Sequence, residues 1–182
     1  MLQKGDFVLN NAQQKEFNQQ CLYTALMELM KEKKFEKISI GELCDRAGVS
    51  RMTYYRSYNY KEDILLQHLD ECFSRYMQGL DVRDFYTSSL SFFQFWQDQE
   101  REFLIAVVKS NLAAGLMDKF YAYLEEIFSQ MQLGTEVAPY AKSFLAGGLY
   151  KMLIDWVKNG TKDSPEAMAD FLAAGSRALT RI

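Results

Sequence analysis

Apolar residues recur along this chain at helical rather than strand spacing. From about Asn11 to Lys34, the positions Phe17, Cys21, Leu22, Met27 (with Ala25 and Leu26), Leu29 and Met30 predict an amphipathic helix capped by Asn11. The charged stretch KEKKFEKIS follows, with Phe35 and Ile38 as its apolar pins. Ser39 with Glu42 three residues on forms a capping box, which predicts a helix starting at Ile40. Gly48 supplies the left-handed residue that stops this helix, and Ser50 caps a new one over Arg51–Ser57. Asn59 with Glu62 reads as a second capping box, and Ile64, Leu65, Leu69, Cys72, Phe73 and Tyr76 carry the next helix to about Gln78.

Beyond Asp84 the pattern stays helical and becomes rich in aromatics. FYTSSLSFFQFWQDQ, REFLIAVVKSNL and LMDKFYAYLEEIFSQMQ each read as one helix, and LGTEVAP reads as a loop. The next helix carries Ala141, Phe144, Leu145, Gly148, Leu149, Met152, Leu153 and Trp156 on one face and stops at Gly160. Ser164 caps a last helix with Pro165 at its first position. Its stripe is Met168, Phe171, Leu172, Gly175 and Leu179. The expected fold is all-α with about nine helices: a three-helix head over residues 1–60 and a helical bundle over 61–182.

Two short helices joined by Gly-Val-Ser are the layout of a helix-turn-helix. Cys44 and Ala47 are small enough for a steep crossing, and Leu43, Val49 and Tyr54 fill the wedge between the helices. Composition agrees: 182 residues with only two prolines and ten glycines leave long uninterrupted segments. The net charge of −3 hides a small asymmetry. Residues 1–63 hold ten Lys and Arg against nine Asp and Glu, while the remainder holds eleven against fifteen. This permits a nucleic-acid face near the N-terminus. Cys21, Cys44 and Cys72 are too scattered for a disulfide framework or a zinc ribbon. No apolar run is long enough for a membrane span or a secretion signal, so the expected location is the cytoplasm, with no membrane partner. No nucleophile elbow, phosphate loop or metalloprotease motif occurs, and the lone His68 has no partner at metal-ligand spacing. An enzyme, a metal and a cofactor are therefore not expected.

The segment SIGELCDRAGVSRMTYYRSYNYKEDILLQHL resembles the DNA-binding region of TetR-type (TetR/AcrR) transcriptional regulators. AGVS, the aromatic pair beginning at Tyr54, the aromatic Tyr58 and the KED helix start all fall at family spacing. The resemblance covers about residues 12–70. FLAGGLYKMLIDWVKNG looks like a variant of the family's ligand-binding half. Met52, Ser57 and Tyr60 depart from the residues most frequent in the family at their positions. The resemblance implies a homodimer that binds double-stranded operator DNA and releases it when a small molecule occupies the bundle. A helical protein of this type that has lost DNA binding, and acts as a small-molecule binder or through protein partners, is the alternative.

In a helix-turn-helix, the start of the second helix meets base edges while flanking groups clamp phosphates. Ser39, Ser50, Arg51, Met52, Thr53, Tyr55, Arg56 and Lys61 are the candidate DNA contacts. Tyr54 and Tyr58 are four apart and expected inside, whereas Tyr55 lies about 100° round the helix and points outward. The family resemblance gives the Tyr55 hydroxyl a phosphate to hold. Lys61 stands where a helix start and a cation coincide, which suits a phosphate. Phe92, Phe95, Trp96, Phe103, Tyr121, Phe144 and Tyr150 are the candidate effector lining, leaning toward an apolar or aromatic compound, although rings at helical spacing also make ordinary core. The dimer surface is expected from the last two helices through Phe144, Gly148, Met152, Trp156, Met168, Phe171, Leu172 and Gly175.

Overall fold

The computed structural model describes residues 10–80, 84–110, 112–130 and 141–179. Nine α-helices occur among them: α1 (Asn11–Glu32), α2 (Ile40–Ala47), α3 (Arg51–Tyr55), α4 (Glu62–Gln78), α5 (Phe85–Asp98), α6 (Arg101–Lys109), α7 (Ala113–Gln130), α8 (Ala141–Lys158) and α9 (Pro165–Leu179). The described residues contain no strand. The chain divides into two compact units, residues 1–69 and 70–182. The division falls inside α4 rather than at residue 60, because Ile64, Leu65 and Leu69 are buried as part of the N-terminal unit. The loop expected over residues 133–139 falls outside the described residues.

In the N-terminal unit α1 packs on α2, and α2 on α3. α1 buries Leu22, Ala25, Leu26, Met27 and Leu29, and its cap is Asn10 rather than Asn11. The Asn10 carboxamide accepts from the N–H groups of Ala12 and Gln13, while the Gln13 side chain accepts from the Asn10 N–H, closing a full capping box. A short 3-10 turn at Phe35–Lys37 buries Phe35, with Ile38 buried just after it, so the two expected pins hold. Ser39 caps α2 by accepting from the Glu42 N–H, but the box is half closed. The Glu42 carboxylate pairs with Lys33 at 2.5 Å instead. Arg46 reaches across to Glu32 at 2.9 Å and Glu28 at 3.4 Å, tying α2 to α1 again. Both links are exposed or nearly so and add little to stability.

Gly48 ends α2 at φ 68°, ψ 28°, and the Val49 N–H then donates to the Cys44 carbonyl at 3.0 Å. Any side chain here meets the left-handed penalty, which is why glycine turns the chain so sharply. α3 stops at Tyr55, two residues before the expected end. The turn into α4 is closed by Asp63 and not by Asn59, since the Asp63 carboxylate accepts from the Asn59 and Tyr60 N–H groups, both at 2.9 Å. His68 stacks on Tyr23 of α1 with ring centroids 3.9 Å apart.

In the C-terminal unit α5 packs on α9 and α6, and α8 packs on α7, α6 and α9. The core is a mass of rings contributed by Phe73, Phe92, Phe93, Trp96, Phe120 and Tyr123, arranged mostly edge to face. Phe73 instead stacks flat on Tyr123 at 4.3 Å. The Asp70 carboxylate accepts from the Tyr123 hydroxyl and pairs with Lys119, so α7 is held to α4 by charge as well as by rings. Gly160 at φ 78° ends α8, and Ser164 caps α9 with Pro165 at its first position.

Gly48→Ala is expected to cost the N-terminal unit about 1–2 kcal/mol through the left-handed backbone. Urea unfolding should show a lower midpoint with an unchanged slope.

Candidate nucleic-acid interface and the faces of the C-terminal unit

Five residues make α3, so each side chain has a distinct direction. Tyr54 is fully buried, and Tyr58 is buried beside it with ring centroids 5.9 Å apart. The Tyr58 hydroxyl donates to the Gln67 carboxamide oxygen at 2.7 Å, and the same oxygen accepts from Gln19 at 2.9 Å. Through Gln67, then, α1, the end of the α3 turn and α4 share one acceptor. The Tyr54 hydroxyl is buried without a hydrogen-bond partner, and burial, reinforced by the Asp63 charge, pushes its pKa up to about 12. It stays neutral at any physiological pH.

The opposite side of α3 faces solvent. Met52 is 68% exposed and Tyr55 58%, with Arg51 and Arg56 exposed beside them. The Tyr55 ring stands edge-on to Tyr54, 5.0 Å between centroids, which fixes the direction of its hydroxyl. Arg56 lies with its Nη2 3.8 Å from the Met52 sulfur. Ser50 caps α3 by accepting from the Thr53 N–H at 3.1 Å, and the two hydroxyls are 2.9 Å apart. These two side chains therefore hold the helix start together. An open depression of about 700 Å³ flanks α3 and is lined by Ser39, Gly41, Glu42, Asp45, Arg46 and Arg51.

Lys61 departs from expectation. Its ammonium donates to the carbonyls of Phe35 at 2.7 Å and Ile38 at 2.9 Å, and sits 4.4 Å over the Phe35 ring. Three donors on a compact ammonium satisfy two carbonyls that end the 3-10 turn, and this leaves little for a phosphate. Lys61 is a staple between that turn and the start of α4. Neither its type nor its spacing distinguishes the two jobs; only the position of the carbonyls does.

The expected effector lining is mostly filled core. Phe92, Phe95, Trp96 and Phe103 are buried, and the first three pack on one another or on Phe73, Tyr76 and Phe120. Tyr150 packs on Phe120 and donates to the Ala113 carbonyl at 2.8 Å, while Tyr121 donates to the Ser143 carbonyl. Phe144 lines no interior space, being 65% exposed. A depression of about 290 Å³ opens elsewhere, among Arg75, Tyr76, Gln94, Phe95, Asp98 and Gln99. Arg75 pairs there with the buried Glu100 and touches the Cys72 sulfur. Burial raises the Cys72 thiol pKa, the Glu100 charge adds to that, and Arg75 opposes it. This polar opening was not legible in the sequence, because its residues share no motif.

The expected dimer residues separate into two sets. Phe144 and Phe171 (70% exposed) face solvent, Met152 and Met168 are half-buried, and Gly148 and Gly175 are exposed. A Cβ on either glycine would meet nothing within 4 Å. Each helical glycine costs about 1 kcal/mol relative to alanine, and nothing among the described residues needs its absent side chain. Trp156 and Leu172 are buried within the unit itself and leave this set. Trp156 meets Phe93 edge to face at 5.5 Å and donates its Nε1–H to the Asp163 carbonyl at 2.8 Å.

Residues 83–174 match a TetR-type family described as the transcriptional regulator C-terminal region. The HTH-type transcriptional regulator EthR of Mycolicibacterium smegmatis is 34% identical over 61 residues, which is 34% of this chain and 28% of that protein. Among solved structures, Lin0861 from Listeria innocua is similar in fold, with a TM-score of 0.76 and 18% identity, covering 94% of this chain and 96% of that one. NalD of Pseudomonas aeruginosa, described as the secondary repressor of the MexAB-OprM multidrug efflux pump, gives 0.62 and 17%, over 88% and 95% of the two chains. No helix among the described residues is long and apolar enough to cross a membrane.

Lys61→Met is expected to destabilise the N-terminal unit by about 1–3 kcal/mol, since it leaves two carbonyls without their charged donor. Denaturant unfolding of the variant measures this without any DNA present.

Proposed function

Because the chain belongs to the TetR-type transcriptional regulators, we propose that it works in the cytoplasm as a homodimer that binds a palindromic operator and represses transcription until a small molecule releases it. The observation that carries this reading is the outward face of α3. Met52, Tyr55, Arg51 and Arg56 are exposed together, on a helix whose opposite side is anchored by the buried Tyr54. A short, rigidly seated helix with an arginine at each end fits the major groove, where Arg56 can read guanine and Met52 can touch a thymine methyl. The Tyr55 hydroxyl takes a phosphate at the rim. Two such heads on a two-fold axis read half-sites one helical turn apart, or a multiple of it.

Dimerisation runs through Phe144, Gly148, Met152, Met168, Phe171 and Gly175. The open space at both glycines supports this, because a partner helix gains close approach there. Repression is the direction we propose; of the proteins similar in fold, NalD is described as a repressor and DhaS as an operon activator. The effector shifts a population by binding better to the state whose heads miss successive grooves. α4 contributes residues to both units and is the lever in this scheme. The 290 Å³ opening beside Arg75 is where a small polar effector would enter.

Selection of bound duplexes from random sequence should recover a palindrome. Affinity for it should fall steeply with salt, at about 0.9 in log–log slope for each phosphate neutralised. Tyr55→Phe should weaken binding to every sequence by a similar factor. A purified protein that prefers no sequence over random duplex would sink the reading and favour action through protein partners. Separately, Phe144→Glu with Phe171→Glu should convert dimer to monomer in sedimentation velocity while leaving the helical circular dichroism intact.

A further inference from the structure

Gly41 occupies the second position of α2, in ordinary helical backbone, where no turn calls for glycine and alanine would make a better helix. What stands against it is Arg51. A Cβ at residue 41 would lie 2.5 Å from the Arg51 Nη2, 3.3 Å from its Cζ and 3.6 Å from its Nε. A β-carbon cannot approach so closely, so any other residue at 41 displaces the guanidinium. Arg51 begins α3, and its side chain is therefore laid back against the first turn of α2. Its charge is felt there too: burial raises the pKa of the Cys44 thiol, and Arg51 pulls it down.

The seat is electrostatically incomplete. A guanidinium beside the amino end of a helix adds positive charge to positive charge. Glu42, Asp45 and Arg46 line the same depression, but the Glu42 carboxylate is paired with Lys33, Arg46 is paired with Glu32, and Asp45 makes no ion pair with Arg51 among the described residues. Among the described residues no hydrogen bond or ion pair engages the Arg51 guanidinium. Arg51, the first turn of α2 and Ser39 line one open depression, and an anion there would complete the seat.

We infer that Gly41 is a positioning residue, whose missing side chain seats Arg51 on α2 so that the guanidinium grips a DNA phosphate rather than a base edge. This rests on the reading of the N-terminal unit as a DNA binder. It assigns Arg51 to affinity and register, and leaves sequence choice to Met52 and Arg56.

The test is a double-mutant cycle of Gly41→Ala, Arg51→Ala and both together, measured against the duplex selected by the wild type. Arg51→Ala should weaken binding about tenfold or more and lower the salt slope by about 1, with base preference unchanged. Gly41→Ala should lose much of the same affinity while its melting temperature stays equal or rises, because only the mobile end of Arg51 must move. In the Arg51→Ala background, Gly41→Ala should change nothing further. Additive losses, wild-type binding by Gly41→Ala, or relaxed preference at one base in Arg51→Ala would each overturn the assignment. If the wild type binds no DNA, the functional reading fails, and the seat is judged by itself from the Arg51 Nε–Hε resonance of the DNA-free protein. That resonance must shift in Gly41→Ala, and an unmoved one removes the seat.

Discussion

A helix of five residues cannot sustain itself, since nucleation fixes more backbone than its few hydrogen bonds repay. The geometry of α3 is therefore borrowed from the burial of one side chain, Tyr54, and from the turn that delivers it there. Gly48 sets the direction of entry, Ser50 fixes the first turn, and Tyr58 closes the exit by reaching Gln67. Take away the aromatic anchor and the outward face has no fixed orientation, whatever residues it carries. The burial comes with a defect, because the Tyr54 hydroxyl finds no partner inside. A buried unpaired hydroxyl costs on the order of 1–3 kcal/mol, which the ring's own burial must outweigh.

The same economy explains the polar contacts behind α3. Lys61 just before α4, and Asp63 and Gln67 in its first two turns, each satisfy groups outside that helix. Lys61 takes the Ile38 carbonyl and shares the Phe35 carbonyl with the Ile38 N–H, Asp63 takes the Asn59 and Tyr60 N–H groups ahead of α4, and Gln67 joins α1 to the α3 exit. A displacement of this end of α4 disturbs all three sets of bonds together. The link between α4 and α3 is thus chemical and specific, beyond simple connectivity.

Legibility in the sequence followed the physics of each feature. Helix starts and stops were readable because caps and left-handed glycines are local: Ser39, Gly48, Ser50, Ser164 and Pro165 all act where their spacing placed them. The period also separated the buried Tyr54 and Tyr58 from the exposed Tyr55. Near-degenerate caps were less readable. Asn10 and Asn11 are adjacent, and Asp63 outcompetes Glu62 because its shorter side chain reaches back across the turn. Long-range partners were not readable at all. Nothing in a single sequence says that Lys61 meets two carbonyls, that Arg51 lies on Gly41, or that Trp156 turns inward to Phe93 while Phe144, about 120° round the same helix, turns outward. Apart from the exposed Phe144, the aromatic stripe is buried or half-buried as expected, but it could not tell filled core from an open pocket, since both demand the same residues.

The division of labour on α3 has an evolutionary side. Its anchor is interior and intolerant, whereas Met52 and Arg56 project outward and touch little besides each other. Substitutions at such exposed positions usually change stability by less than about 0.5 kcal/mol. These two positions can therefore vary without passing through unfolded intermediates. Drift at residue 41 is different in kind: it leaves the fold intact and silently reorients an arginine ten residues away. A change there can alter the outward face of the N-terminal unit while every measure of foldedness improves.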